Sequence, residues 1–365
     1  LGQCGAEHAL LGAVVEQPDS GGVVLTGRLA LNTQPWLADH VVAGVVLFPG
    51  AGFVELAIRA GDEVGCAVVQ ELVLSVPLVV PVSGGVQIQV VVGAGGEGGR
   101  RAVSVYSRAA QPDSEWTLHA EGVLGVSPVH PAADLSVWPP LDATAVDVSD
   151  AYQQLAQRGY HYGPAFQGLR ALWRRGDEIF ADVALPEDTG LHAGGFGIHP
   201  ALLDAALHGA GVGLEATHTA LPFCWQGVSL HAAGATGIRA HIIPTDQDTL
   251  SIELADTSGQ PVLSVGALTT RVVSTEQLHA ALSASTKTHQ GLLEVVWTPI
   301  SLDDTTTDEV TVLSWNDFHT TDTDTGSDVG GAGNVVVWEL QSVGAGVVGS
   351  VYAATHRGLQ VLQSW

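Results

Sequence analysis

The sequence predicts an α+β protein in which antiparallel strands wrap one helix in each of two halves, followed by the opening of an α/β unit. Three observations predict it. β-Branched residues alternate or cluster between Gly-rich turns at 22–29, 66–81, 86–92, 101–108 and 117–126, as antiparallel strands do. A single apolar stretch with helical period interrupts them after Pro49-Gly50, and a second lies among later strands at 200–207. Hydrophobic residues make up 46% of the chain and glycine occurs 45 times, which suits a large core built from many short, turned strands.

The first helix runs through Phe53, Leu56, Ala57 and Ala60, with Glu55 and Arg59 spaced as an i,i+4 pair. Residues 127–147 then change character: Pro128, Pro131, Pro139 and Pro140 fall without a period, so an extended linker across the surface is expected. The next half opens with a helical stretch at 150–158. Strands follow at 169–174, 179–185, 228–231, 237–243, 250–256 and 262–273, around the 200–207 helix. Halves 1–126 and 148–275 thus share an architecture, although no residue-by-residue repeat is evident. Beyond a second linker at 276–291, residues 292–365 offer an apolar stretch at 292–297, strands at 310–315 and 335–340, and a helical pattern from 349. This reads as a truncated, Rossmann-like α/β fragment. With no methionine, a start at Leu1 and a stop at Trp365, the chain is expected to be a piece of a longer polypeptide.

Composition narrows the function classes. The formal charge is -25, with only 13 Lys and Arg, so no basic stripe exists for nucleic acid and anionic surfaces would repel the chain. Cys4, Cys66 and Cys224 are odd in number and far apart, which indicates neither a disulfide framework nor a zinc site and fits a reducing cytoplasm. No export signal or membrane segment is expected.

Two constellations could carry chemistry. His40 precedes an apolar run ending in Pro49-Gly50, with Gly44 and Pro49 completing His-xxx-Gly-xxxx-Pro. A lone histidine there is ordinarily a hydrogen-bonded core residue. About 160 residues later comes His199-Pro200-Ala201-Leu202-Leu203-Asp204-Ala205-Ala206-Leu207-His208. Pro200 suits a first helical turn, which places Asp204 and His208 on one face of an otherwise Ala/Leu helix. They could be a plain Asp–His surface pair, yet a carboxylate on so apolar a face is costly to desolvate unless paired.

Both stretches resemble the signatures of dehydratase domains of modular polyketide synthases. So do Gly159-Tyr160-His161-Tyr162-Gly163-Pro164-Ala165-Phe166-Gln167-Gly168 and Leu221-Pro222-Phe223-Cys224-Trp225, and the four occur in that family's order across residues 1–275. The resemblance implies a double hotdog fold, with His40 from the first half as general base and Asp204 from the second as general acid. It implies dehydration of a (3R)-3-hydroxyacyl thioester carried on the phosphopantetheine of an acyl carrier protein, with no cofactor and no metal. Such a donor role requires a protonated Asp204, hence an apolar setting that raises its pKa, a rise that a nearby imidazolium or the helix N-terminus would oppose. His208 and Tyr162 would hold Asp204 or the substrate hydroxyl, Gly44 and Pro49 would shape the loop behind His40, and a backbone N–H near Gly50 would polarise the thioester carbonyl. Tyr162 reads equally well as a core tyrosine. A homodimer and contact with a neighbouring ketoreductase are also implied, residues 292–365 resembling the start of that enzyme's structural half.

Rival readings are an isomerase or cyclase on the same fold and a non-catalytic scaffold element of a synthase. Among decoys, Gly93-Ala94-Gly95-Gly96-Glu97-Gly98 lies between two strands and reads as a hairpin loop rather than a phosphate cradle. Gly344-Ala345-Gly346-Val347-Val348-Gly349 has strand-before, helix-after context, but without an acidic ribose partner no dinucleotide is expected to bind. Asp322, Asp324 and Asp328 miss the calcium-loop pattern, with Gly326 one place early.

Overall fold

Alternating burial makes most of the strands, and the computed structural model describes them over residues 4–110, 114–212 and 219–273, with the backbone of two more strands beyond. In the first of two units, Leu1–Gln290, β1 (Cys4–Gly5), β2 (Leu11–Gln17) and β3 (Gly22–Leu29) lead to a small hairpin, β4 (His40–Val42) and β5 (Val45–Val46), and then to α1 (Gly50–Glu63). β6 (Val68–Leu74), β7 (Val86–Val92), β8 (Arg101–Ala109) and β9 (Thr117–Gly125) follow. After β10 (Thr144–Val146) and α2 (Ala151–Gln157) come β11 (Tyr160–Tyr162), β12 (Leu169–Arg175), β13 (Glu178–Ala184) and α3 (Pro200–Gly211). β14 (Ala220–Leu230), β15 (Gly237–Asp246), β16 (Thr249–Ala255) and β17 (Pro261–Val272) complete the unit.

Fourteen strands form one sheet in the order β1-β2-β3-β7-β8-β9-β6-β14-β17-β16-β15-β13-β12-β10. Cut between β6 and β14, it falls into β2-β3-β7-β8-β9-β6 and β12-β13-β15-β16-β17-β14, the same pattern twice. Each run has its helix inserted after its second strand. This is the architectural repeat read from the sequence, and it is a double hotdog. The halves join through β6 and β14, where Leu72 faces Trp225 and Val69 faces Val228.

Both central helices are wrapped by their sheets. In α1, 10 of 14 residues are buried, among them Phe53, Leu56 and Ala60, and a helix buried nearly all round is a core helix. Gly52 is there because a Cβ would meet the Phe48 ring at 2.5 Å. In α3, 9 of 12 are buried. Burial of each large aliphatic side chain contributes about 1.5–3 kcal/mol.

Several expectations need correction. Arg59 does not pair with Glu55: it reaches Glu63 at 2.6 Å and the Ala6 carbonyl at 2.9 Å, because Glu55 faces the interior and is fully buried. The strand expected at 228–231 begins at Ala220, since a register shift between Pro222 and Cys224 accommodates the proline that seemed to exclude it. The strand expected over 66–81 stops at Leu74. Within the Pro-rich stretch 127–147, β10 pairs with β12. The Gly93–Gly98 segment does join β7 to β8, an antiparallel pair.

In the second unit, Gly291–Trp365, β18 (Thr311–Ser314) and β19 (Asn334–Val337) pair in parallel. They overlap the strands expected there. The 292–297 stretch, the acidic loop, Gly344–Gly349 and the helix expected from 349 lie outside the described residues.

Candidate active site

His40 is aimed by a turn. Ala43 and Gly44 take φ of 48° and 82°, the left-handed two-residue turn that folds β4 onto β5 and that glycine adopts without strain. The return brings Leu47 back beside His40: the Leu47 N–H donates to the His40 carbonyl at 3.1 Å, and the His40 Nδ1–H donates to the Leu47 carbonyl at 2.9 Å. That bond fixes the tautomer and leaves the Nε2 lone pair free. Pro49 then stands in extended backbone just ahead of α1, which starts at Gly50 without a side-chain cap.

The Tyr160–Tyr162 segment lies against the other side of the hairpin, with Tyr162 opposite His40 in the β11–β4 register. Asp39 pins it: its carboxylate accepts from the Ala165 N–H at 2.8 Å and its carbonyl from the Gly163 N–H at 2.8 Å. A Cβ on Gly163 would strike that carboxylate at 2.3 Å, so glycine is required there by close approach.

Asp204 comes from the second half. His199 caps α3, its Nδ1 accepting from the Ala201 N–H at 3.1 Å; burial pushes this imidazole down to about 4 and keeps it a neutral acceptor. One turn into α3, Asp204 Oδ2 accepts from His208 Nε2 at 3.0 Å, the i,i+4 pair read from the sequence. The His208 ring lies against Tyr162, centroids 4.1 Å apart, and edge-on to Tyr152 at 5.7 Å. Asp204 Oδ2 stands 3.8 Å from His40 Nε2, and both residues are only 5% exposed. The pair opens into a cavity of about 600 Å³ walled by apolar side chains including Leu47, Phe53, Leu74, Leu207 and Leu268, with Gly50 at its wall.

Burial lowers the His40 pKa and outweighs the attraction of Asp204, so the imidazole is neutral at neutral pH. Burial pushes the Asp204 carboxyl up, but the His208 hydrogen bond and the charges of protonated His40 and His208 pull it below the ordinary value, and the pull prevails. This corrects the expected rise: the apolar helix face is there, but two imidazoles offset it. Burial holds the Tyr162 hydroxyl well above its usual range, so it remains a donor.

The structure therefore brings His40, Asp204, His208 and Tyr162 to one cavity, with Gly44 and Pro49 in the loop behind His40. Sequence reasoning missed the Leu47 carbonyl, Asp39 and Tyr160, whose hydroxyl donates to the Ala220 carbonyl and accepts from its N–H, both at 2.6 Å. Carbonyl partners carry no residue-type signal. Asp39 stands next to His40 and could have been flagged as an adjacent carboxylate.

Such a fold, with an imidazole and a carboxyl facing each other in an apolar pocket, defines an acid–base site on a double hotdog. The sequence profile of the polyketide synthase dehydratase domain matches residues 8–108, and that of the polyketide synthase dehydratase N-terminal domain matches 130–280. The chain is 58% identical, over its whole length, to the type I phenolphthiocerol synthesis polyketide synthase Pks15/1 of Mycobacterium marinum, of which it spans 18%. It is 57% identical to the Mycobacterium tuberculosis protein named "Putative inactive phenolphthiocerol synthesis polyketide synthase type I Pks1", of which it spans 23%. A solved structure described as giving insight into dehydratase substrate selection for the borrelidin and fluvirucin polyketide synthases is 53% identical, with a TM-score of 0.72, covering 75% of this chain and 98% of that one. The chain belongs to the dehydratase domains of polyketide synthases. Among the described residues no helix is long and apolar enough to cross a membrane.

Proposed function

We propose that this chain removes water from a (3R)-3-hydroxyacyl thioester held on the phosphopantetheine of an acyl carrier protein, with His40 as base and Asp204 as acid and without a cofactor or metal. The observation that carries the reading is His40 Nε2 facing Asp204 Oδ2 at 3.8 Å across an apolar cavity. His40 Nε2 takes the proton from the carbon next to the thioester carbonyl. The C–O bond at the third carbon breaks, and the Asp204 carboxyl gives its proton to the departing oxygen, which leaves as water. His40 then holds one proton more and Asp204 one fewer, and transfer of that proton restores the pair. The start of α1 has no side-chain cap, and although the Gly52 N–H donates to the Pro49 carbonyl at 2.8 Å, the N–H at Gly50 suits the developing negative charge on the carbonyl oxygen.

Substrate binding supplies the protonated acid. Below the depressed imidazole pKa, His40 and Asp204 hold one proton between them, and acyl chain filling the cavity removes the water that favours imidazolium and carboxylate over the two neutral forms. Tethering to the carrier makes delivery intramolecular, so weak carrier affinity suffices. We further propose a homodimer in the cytoplasm beside other domains of its synthase, ketoreductase included, motivated by the open sheet edges at β1 and β10; light scattering should return twice the monomer mass. The deciding experiment is incubation with a (3R)-3-hydroxyacyl pantetheine thioester. An enoyl product lighter by one water supports the reading, an isomer of unchanged mass supports an isomerase or cyclase, and no turnover by folded protein supports a scaffold.

A further inference from the structure

The halves each place one carboxylate inside the central helix, but only one of the two opens on the cavity. Asp204 is the fifth residue of α3 and reaches the segment ahead of α1. Glu55 is the sixth residue of α1 and reaches the segment ahead of α3. Its carboxylate accepts three hydrogen bonds: from the Gly197 N–H at 2.7 Å, the Ile198 N–H at 2.9 Å and His8 Nε2 at 3.1 Å. His8 is the donor in the last, because its Nδ1 already accepts from the Leu10 N–H at 3.1 Å. Glu55 is fully buried, and among the described residues no Lys or Arg pairs with it, Arg59 being turned to Glu63 and Ala6.

A buried carboxylate with only hydrogen-bond donors around it is costly unless its geometry is fixed, and bonds to an anionic acceptor are strong and directional. Its partners Gly197 and Ile198 directly precede His199, the cap of α3. At the other end, α1 begins two residues after Phe48, next to the Leu47 carbonyl that orients His40. Apolar packing alone would let the two helices slide. Two bonds from one helix to the backbone leading into the other, with a third from the His8 side chain, do not.

We propose that Glu55 is a positioning residue for the dehydration, a strut between α1 and the start of α3 that sets the separation of His40 and Asp204. The inference rests on the acid–base reading above, and its test separates the two. Histidine NMR follows the titration of the His40 imidazole, assigned by its loss in His40→Ala, in the parent and in Glu55→Gln, alone and combined with Asp204→Asn. The groups facing His40 are Asp204, His208 and Tyr162. If Glu55 is the strut, the His40 midpoint moves in Glu55→Gln and the difference vanishes in the Asp204→Asn background. On the pantetheine thioester, kcat falls about 10- to 100-fold, the scale of an ångström-size misplacement, while KM stays within about threefold. A folded Glu55→Gln with the parental midpoint and kcat overturns the proposal. Should that variant not fold, His8→Ala removes one donor only; a shifted His40 midpoint whose shift vanishes in the Asp204→Asn background supports the strut, and an unmoved midpoint overturns it. A displaced midpoint in a protein whose parent does not dehydrate the thioester keeps the strut and removes the reaction.

Discussion

His40 has no neighbour able to replace it, because the other imidazole at the cavity, His208, already bonds Asp204. His40→Ala should therefore lower turnover by about 10²- to 10⁴-fold, with an unchanged circular dichroism spectrum. Asp204→Asn should lose a comparable share, since an amide keeps the shape but gives up no proton; a near-parental rate would move the acid to Tyr162 or His208. The pH dependence follows from the lowered pKa values. In the unloaded protein the pair loses its last proton at the depressed imidazole pKa, below 6.5, so kcat/KM should fall with rising pH from a midpoint below 6.5. The limb in kcat should lie at higher pH, because acyl chain in the cavity favours the protonated carboxyl. Stability has its own sign. The depressed folded-state pKa values of His40, His119 and His199 mean that the unfolded chain binds more protons below 6.5, so thermal stability should be full above 6.5 and fall toward pH 4. Burial-raised Asp62 and Asp182 oppose this in part. A melting temperature that rises on acidification from pH 7 to 5 would contradict the histidine account. Asp204 and His208 stood out because an i,i+4 carboxylate–imidazole pair is unusual on an Ala/Leu helix, whereas His40 and Tyr162 were picked out by the family resemblance and read equally well as core residues on their own. Glu55 was legible only as an i,i+4 partner of Arg59, since spacing gives a helix face but not which face turns inward.

At the level of elements, the β4–β5 turn is the piece on which His40 depends most. Gly44→Ala puts a Cβ at φ 82°, which costs about 1–2 kcal/mol. The same change should loosen the Leu47 carbonyl from His40, so kcat should drop more than the small loss in melting temperature suggests; parental kcat would show that the turn does not aim the base. Leu56→Ala, by contrast, removes a fully buried side chain of α1 and should cost about 2–5 kcal/mol in urea unfolding. Strands with clean alternation, such as Val86–Val92, were legible over their full length. β2 was missed because Gly12, Glu16 and Gln17 dilute its β-branched signal, and β4, β5 and β11 because two or three residues carry no period. Their pairing is tertiary: β11 finds β4 across more than a hundred residues.

Across the whole described sheet, the seam between β6 and β14 decides whether the halves are separable. The sequence shows two similar architectures with a Pro-rich stretch between them but not the strands that would join them. The structure pairs Leu72 with Trp225 and Val73 with Cys224 across the seam, and Trp225 is fully buried. A lone first half would expose the β6 edge and the Leu72 face, and the Gly197 and Ile198 N–H donors to the Glu55 carboxylate would be missing. Unpaired apolar edges of this kind template aggregation, and a buried acceptor without its donors costs about 1–3 kcal/mol per group. Residues 1–126 expressed alone should accordingly be insoluble or lack near-ultraviolet circular dichroism, and co-expression with residues 127–280 should restore a soluble pair with a single unfolding transition. A first half that is soluble, monomeric and cooperatively folded by itself would show that the seam joins two finished domains rather than completing one.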